Sequence, residues 1–297
     1  NYGIEGASEY AYGFRTADDV VKIHNDIEAL LDNNKYPVNI NIIGGGFTGV
    51  EVLGELLRKY ATNKKLKFNV IDRAERLVQA LPEKLSDDIL RQCKNYQVSF
   101  HFNKKITEVK PCSIHFDDKE SIETDLTIWS AGTKLPDYLD GIDTQATSNG
   151  LAVNTYLQTK EFSSVFVAGD SATLPNSLPK QASIALDMGL HAATNINRFC
   201  AKRSLKPLKA QTKPIILSLG DINTYFIQGQ LVLASPVLAT AKEAVYQFYM
   251  ARLSALLPLE QRVLGIAERM IISTEKLLLV EILKLRPRVL LGRSKVL

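Results

Sequence analysis

Residues Asn39 to Leu56 read NINIIGGGFTGVEVLGEL, and this stretch constrains the fold more than any other. A β-type apolar run ends in consecutive glycines, and apolar residues at helical spacing follow directly. Gly44, Gly46 and Gly49 form G-x-G-x-x-G across that strand-to-helix junction. Gly44 permits a tight turn, Gly46 lets phosphates approach the backbone, and Gly49 lets the helix lie close to the strand. The helix N-terminus then offers unpaired N–H groups and the positive end of its dipole to a pyrophosphate. Asp72 ends the next strand pattern, where a ribose-binding carboxylate belongs. A carboxylate there repels a 2′-phosphate and so favours NAD(H) over NADP(H). Arg73 and Arg76 follow it and read as solvated surface charge.

The patterns around this junction extend it to a β-α-β-α-β unit. Thr16 is a suitable N-cap for a helix running to Leu31, and the strand Val38–Ile43 follows the NNKYP break. A helix over 48–60, a strand over 66–72, a helix beginning near Pro82 and a strand over 98–102 complete the alternation. It predicts an α/β fold with a parallel sheet, a Rossmann-like NAD-binding domain. From Lys105 to Gly132 the pattern changes to short strands with charged turns, which predicts an antiparallel β-meander. VFVAGDSA (165–172) predicts a strand ending in a tight turn, and a long helix spans 180–203. A Lys/Pro linker (202–214) leads to strands and turns over 215–236, and the chain is mostly helical from Leu238.

Composition excludes several classes. A net charge of +4 makes no case for nucleic acid. The three cysteines, Cys93, Cys112 and Cys200, form no CxxC pair and no Cys/His cluster, so no metal site is expected. Scattered cysteines fit a reducing compartment, and a cytoplasmic site is expected. No stretch reaches ~18 uncharged apolar residues, so no transmembrane helix is expected. The chain opens on Asn1 rather than Met and reads as a fragment or processed product.

Several segments, in order, resemble the type II NADH dehydrogenases, within the two-dinucleotide flavoproteins of the pyridine nucleotide-disulfide oxidoreductase superfamily. These are GGGFTGVEVLGEL, IDRAERLVQALPEKLSDDI, TIWSAGTKLPDYL, NGLAVNTYLQTKEFSSVFVAGDSA and KEAVYQFYM. The resemblance covers roughly residues 1 to 255. It implies a connecting segment over 1–35, an NAD-binding domain over 36–132 and the C-terminal part of a FAD-binding domain over 133–210. A C-terminal strand and helix region over 211–297 follows. It implies the cofactors FAD and NAD(H), with hydride passing from NADH to FAD and electrons onward to a quinone or other electron acceptor. Gly169 and Asp170 then belong to the FAD site, with Asp170 bonding the ribityl chain, and Gly132 passes close to the NAD pyrophosphate. Glu51, read as lying in the first helical turn, is the candidate for tuning hydride or proton transfer. Its competing role is that of an N-terminal acid complementing the helix dipole.

The sequence departs from the family at three places. The GxGxxG that binds the ADP half of FAD is not in this sequence, so FAD binding is expected to need a further segment. The family's A-Q-x-x-x-Q quinone motif aligns with Ala182 to Asp187, where Ser183 and Asp187 replace the glutamines and Gln181 is the nearest substitute. None of His24, His101, His115 and His191 precedes a proline, which argues against a disulfide reductase. The basic tail ILKLRPRVLLGRSKVL (282–297) suits an anionic bilayer surface, a partner subunit in a homodimer, or solvent. Peripheral attachment to the inner face of a membrane follows from the first of these. Two alternatives to the quinone oxidoreductase stand beside it: a flavin-free NAD-binding module, and a reductase for a small redox-protein partner.

Overall fold

The computed structural model describes residues 2–33, 37–132, 146–147, 150–176, 178–209, 213–236 and 238–253. The tail at 282–297 lies outside these residues. The chain forms two units, Asn1–Gly132 with Pro214–Leu297, and Thr133–Lys213. In chain order the first unit contains α1 (Ala7–Tyr10), β1 (Ala11–Gly13), α2 (Ala17–Asp32), β2 (Val38–Ile43), α3 (Phe47–Tyr60), β3 (Leu66–Ile71), α4 (Glu83–Cys93) and β4 (Val98–His101). It continues with β5 (Ile106–Lys110), β6 (Ser113–Phe116), β7 (Ser121–Glu123) and β8 (Leu126–Trp129). The second unit holds β9 (Ala146–Thr147), β10 (Gly150–Ala152), β11 (Ala172–Thr173) and α5 (Ala182–Cys200). Then β12 (Ile215–Leu219), β13 (Asn223–Gln228), β14 (Leu231–Ala234) and α6 (Leu238–Leu253) return to the first unit.

The first unit is built on a five-stranded, all-parallel sheet in the order β1-β8-β2-β3-β4. β2 and β3 are buried almost throughout, as expected of strands covered on both faces. Thr16 caps α2 as expected, and Asp19 completes a capping box with it. Two buried polar residues interrupt the apolar sheet and satisfy each other. Asn69 Nδ2 donates to Asn41 Oδ1 at 2.8 Å, and Asn41 Nδ2 donates to the Glu123 carbonyl at 2.9 Å. His101 Nε2 lies 3.3 Å from Asn69 Oδ1.

Two expectations need correction. β5, β6 and β7 do form an antiparallel meander, but Leu126–Trp129 leaves it and enters the parallel sheet as β8 beside β2. The reason is burial: Leu126, Thr127 and Ile128 are all buried, so neither face can be solvated. Residues 165–168 do not form a strand. Among the described residues they pair on one edge only, through Val167 N–H to the Leu157 carbonyl and Thr159 N–H to the Val165 carbonyl. That is too few bonds for a ladder.

The antiparallel sheet β12-β13-β14 adds Leu217, Leu219, Tyr225 and Ile227 to the core that α3 and α4 share with the parallel sheet. Gly54 and Gly220 make this packing possible. A Cβ on Gly54 would overlap the backbone of Leu219 and Gly220, and Gly220 itself has φ +53°. Tyr225, fully buried, donates its hydroxyl to Asp88 Oδ2 on α4 at 2.8 Å, and burial pushes its phenol pKa up.

Gly54→Ala is therefore expected to cost about 1–3 kcal/mol of unfolding free energy, read by urea titration. A second expectation concerns acid. Burial, and then the Lys104 charge, hold the His101 pKa below its usual value. The unfolded chain then binds a proton that the folded sheet resists. Stability is complete above the ordinary histidine value of about 6.5 and falls as pH drops below it. His101→Gln should narrow the gap in urea midpoint between pH 8 and pH 5; an unchanged gap would exclude His101 as its source.

Candidate functional site

The chain passes from β2 to β3 and β4 on one side, while β8 and β1 lie on the other, so the strand order reverses at β2 and β8. In open α/β sheets, ligands bind outside the carboxyl ends of strands at such a reversal. The glycine loop sits there. Gly44 has φ +106°, and a Cβ on it would press on Ala131, which follows β8. A Cβ on Gly49 would overlap the Gly44 carbonyl, so the first turn of α3 rests on the end of β2. Gly46 differs: it is the extended N-cap of α3, and a Cβ on it would meet nothing within 4 Å. Among the described residues none fills that space, and no side chain caps the helix. The first N–H groups of α3 are therefore available to a ligand.

Asp72 follows β3 and faces this loop. Its Oδ2 accepts the Gly45 N–H at 2.5 Å, and its Oδ1 accepts the Ala74 N–H at 2.7 Å. These bonds orient the carboxylate, and each oxygen keeps a lone pair for a further donor. Gly45 is closely packed at a position that the G-x-G-x-x-G spacing does not mark, chiefly against the end of the Leu77 side chain. A Cβ on it would lie 2.8 Å from Leu77 and 3.2 Å from Asp72 Oδ2. Arg76 is not solvated surface charge. It donates to the carbonyls of Gln79 at 2.8 Å and Leu81 at 3.0 Å and so holds the loop that follows Asp72.

Glu51 needs correction as well. It is the fifth residue of α3, and no acid occupies the first turn. Its partner is Lys242 of α6, whose Nζ lies 2.5 Å from Glu51 Oε1, with the Ser218 N–H donating to the same oxygen at 3.4 Å. Lys242 carried no local signal, because it is brought to Glu51 only by the packing of β12–β14 and α6. Gly132, three residues beyond β8, has φ +70°, and a Cβ there would overlap the hydroxyl end of Tyr2. Arg73 faces the same ring, 5.9 Å from its centroid.

The second unit contains a pocket of about 260 Å³ lined by Gly169, Asp170, Thr173, Gln181, Ile184 and Met188, among others. Gly169, at φ +70°, opens the single helical turn Gly169–Ser171 that presents Asp170. Gln181 is the extended residue before α5, and Ala182 begins the helix. Among the described residues, Thr173 Oγ1 and Gln181 Nε2 are buried without a hydrogen-bond partner. Leaving such groups unpaired costs roughly 1–3 kcal/mol each, a cost that a polar ligand removes. Asp187 pairs with Lys213 Nζ at 2.5 Å, and the same amine donates to the Ser183 carbonyl at 3.2 Å. An ionic contact thus occupies the positions aligned with the quinone-motif glutamines.

Cys93 is buried, and its thiol is pushed up to about 12, so it is inert at neutral pH. Among the described residues no group of His, Cys, Asp or Glu could hold a metal ion. No helix among them is long and apolar enough to cross a membrane.

The family model for pyridine nucleotide-disulphide oxidoreductases matches residues 1–189. A type II NADH:quinone oxidoreductase of Haemophilus influenzae is 34% identical over 211 residues, 65% of this chain and 47% of that protein. A demethylphylloquinone reductase NdbB of Synechocystis is 23% identical over 253 residues, 82% of this chain and 62% of that one. The chain thus spans about half the length of the Haemophilus protein. The fold is similar to that of NDH2 from Plasmodium falciparum in complex with NADH, with TM-score 0.68 and 14% identity. That match covers 90% of this chain and 74% of the other. A ferredoxin reductase of Rhodopseudomonas palustris matches at TM-score 0.60 and 17% identity, over 75% of this chain and 54% of that one.

The glycine loop yields a contrast in stability. Gly49→Ala should lose about 1–3 kcal/mol by urea unfolding, because the Gly44 carbonyl stands in the way. Gly46→Ser should be neutral or stabilising, because serine is a better N-cap than glycine and the space is open.

Proposed function

Since the chain belongs to the pyridine nucleotide-disulphide oxidoreductase family, we propose that it serves a FAD-dependent NADH:quinone oxidoreductase. One observation carries this reading: the open space at Gly46, set at the reversal of the sheet and beside the oriented Asp72. In this reading the α3 N-terminus and Gly44, Gly46 and Gly49 hold the NADH pyrophosphate, and Asp72 takes the adenosine ribose hydroxyls. The carboxylate disfavours a 2′-phosphate and so NADPH. The unpaired Thr173 Oγ1 and Gln181 Nε2, with Asp170, Gly169 and Ala182, fit the polar part of FAD in the second unit. Bound there, FAD supplies the redox chemistry, taking a hydride from NADH and passing electrons to the acceptor.

The chain's residues then bind, orient and handle protons. Glu51 is the residue proposed to tune hydride or proton transfer, and Lys242 Nζ holds its Oε1 in place at 2.5 Å. Gly132 is the proposed close approach of the chain to the pyrophosphate, with the Tyr2 hydroxyl packed against it. The basic tail at 282–297 is the proposed peripheral membrane contact on the inner, cytoplasmic face, or a homodimer contact. The Lys213–Asp187 pair favours a second reading, in which the acceptor is a small redox protein.

The test is a titration with FAD of the purified chain and, beside it, of a longer form with any native upstream sequence restored, followed by NADH oxidation with a short-chain quinone and, separately, with a ferredoxin. Flavin uptake and quinone-dependent oxidation are expected of the longer form. NADH binding with no flavin uptake by either form would replace the enzyme by a nucleotide-binding module, and oxidation with ferredoxin alone would favour the second reading. In the active preparation Glu51→Gln should lower turnover about tenfold or more, with the KM for NADH nearly unchanged.

A further inference from the structure

The glycine loop contains no basic residue, although a pyrophosphate brings two negative charges. Helix N–H groups meet part of this demand. The described cations near the loop are mostly engaged elsewhere. Arg76 is spent on the Leu77, Gln79 and Leu81 carbonyls, and Lys104 is paired with Asp118 and Glu120. Arg73 is exposed and faces the Tyr2 ring, 5.9 Å from its centroid.

The direction of that contact decides what Arg73 can reach. Trp129, Ile43 and Ile71 are register partners across β8, β2 and β3, so the chain ends that follow lie side by side. Gly132 follows β8, the glycine loop follows β2, and Arg73 follows β3. Tyr2 rests against Gly132. A guanidinium 5.9 Å from the centre of the Tyr2 ring, carried from the end of β3 toward the end of β8, therefore reaches over the chain end between them, that of β2 with its glycine loop. Tyr2 itself has φ +53°, an unfavourable conformation for a tyrosine. Gly132 is the residue whose missing side chain leaves room for the Tyr2 hydroxyl.

We propose that Arg73, aimed across the glycine loop by the Tyr2 ring, supplies the counter-charge for the dinucleotide's pyrophosphate and does not recognise a 2′-phosphate. This rests on the reading that the loop holds NADH. A planar guanidinium suits this task, since it can donate two parallel hydrogen bonds to phosphate oxygens while one face lies on an aromatic ring. Tyr2 is a positioning residue: it orients Arg73 through a cation–π contact.

The test is calorimetric titration of the 297-residue chain with NADH, NADPH, ADP-ribose and adenosine. Arg73→Ala should weaken NADH, NADPH and ADP-ribose by the same factor, about tenfold, and leave adenosine unchanged. It should also flatten the rise of the NADH Kd with salt. Arg73→Lys should fall between the two. Tyr2→Ala should cost about threefold on the same three ligands, and Tyr2→Phe almost nothing. If wild type binds NADH and Arg73→Ala binds it equally well, the proposal fails alone. A loss confined to NADPH, or one that extends equally to adenosine, also overturns it. If wild type binds no NADH, the functional reading fails and the proposal falls with it.

Discussion

The close approach of α3 to the end of β2, with Gly49 resting on the Gly44 carbonyl, is the contact on which the first unit depends. It places a helix N-terminus at the reversal of a parallel sheet, with its N–H groups uncapped by any side chain. Uncapped N–H groups at a crevice are a standing cost to the free protein and an asset to an anion. Asp72, turned toward the same loop by the Gly45 and Ala74 amides, sets a carboxylate beside that positive end.

The same helix ties the C-terminal elements to the crevice. Gly54 brings the turn at Gly220 against α3, and one turn earlier Glu51 meets the Ser218 amide and Lys242. Substituting Gly54 would thus disturb the partners of Glu51 as well as the packing. The second unit has its own polar demand, in Thr173 Oγ1 and Gln181 Nε2, which the described residues leave unmet. A pocket that is complete only when a polar ligand enters it is consistent with a cofactor-dependent protein.

Local signals carried much of this into the sequence. β2 and the Thr16 cap stand where hydrophobic pattern and capping chemistry placed them, because both depend on neighbours a few residues away. The three spaced glycines were legible because each answers to backbone geometry within one turn. What was hidden depends on contacts between distant residues. Leu126–Trp129 looked like another meander strand until the opposite face was known to be covered. Residues 165–168 have strand composition but too few partners to form a ladder. Gly45, Lys242 and the Tyr2–Arg73 contact have no local pattern, since their partners are Leu77, Glu51 and Gly132. Arg76 read as surface charge because carbonyl acceptors cannot be seen in a sequence.

The central claim is that the Gly44–Gly49 loop and the α3 N-terminus receive the NADH pyrophosphate. Backbone hydrogen exchange, measured with and without saturating NADH, tests it at the atoms concerned. Slowed exchange confined to the amides of Gly45–Val50 and the segment after Asp72 is the predicted result. NADH binding that leaves those amides unchanged, and protects others instead, would contradict it.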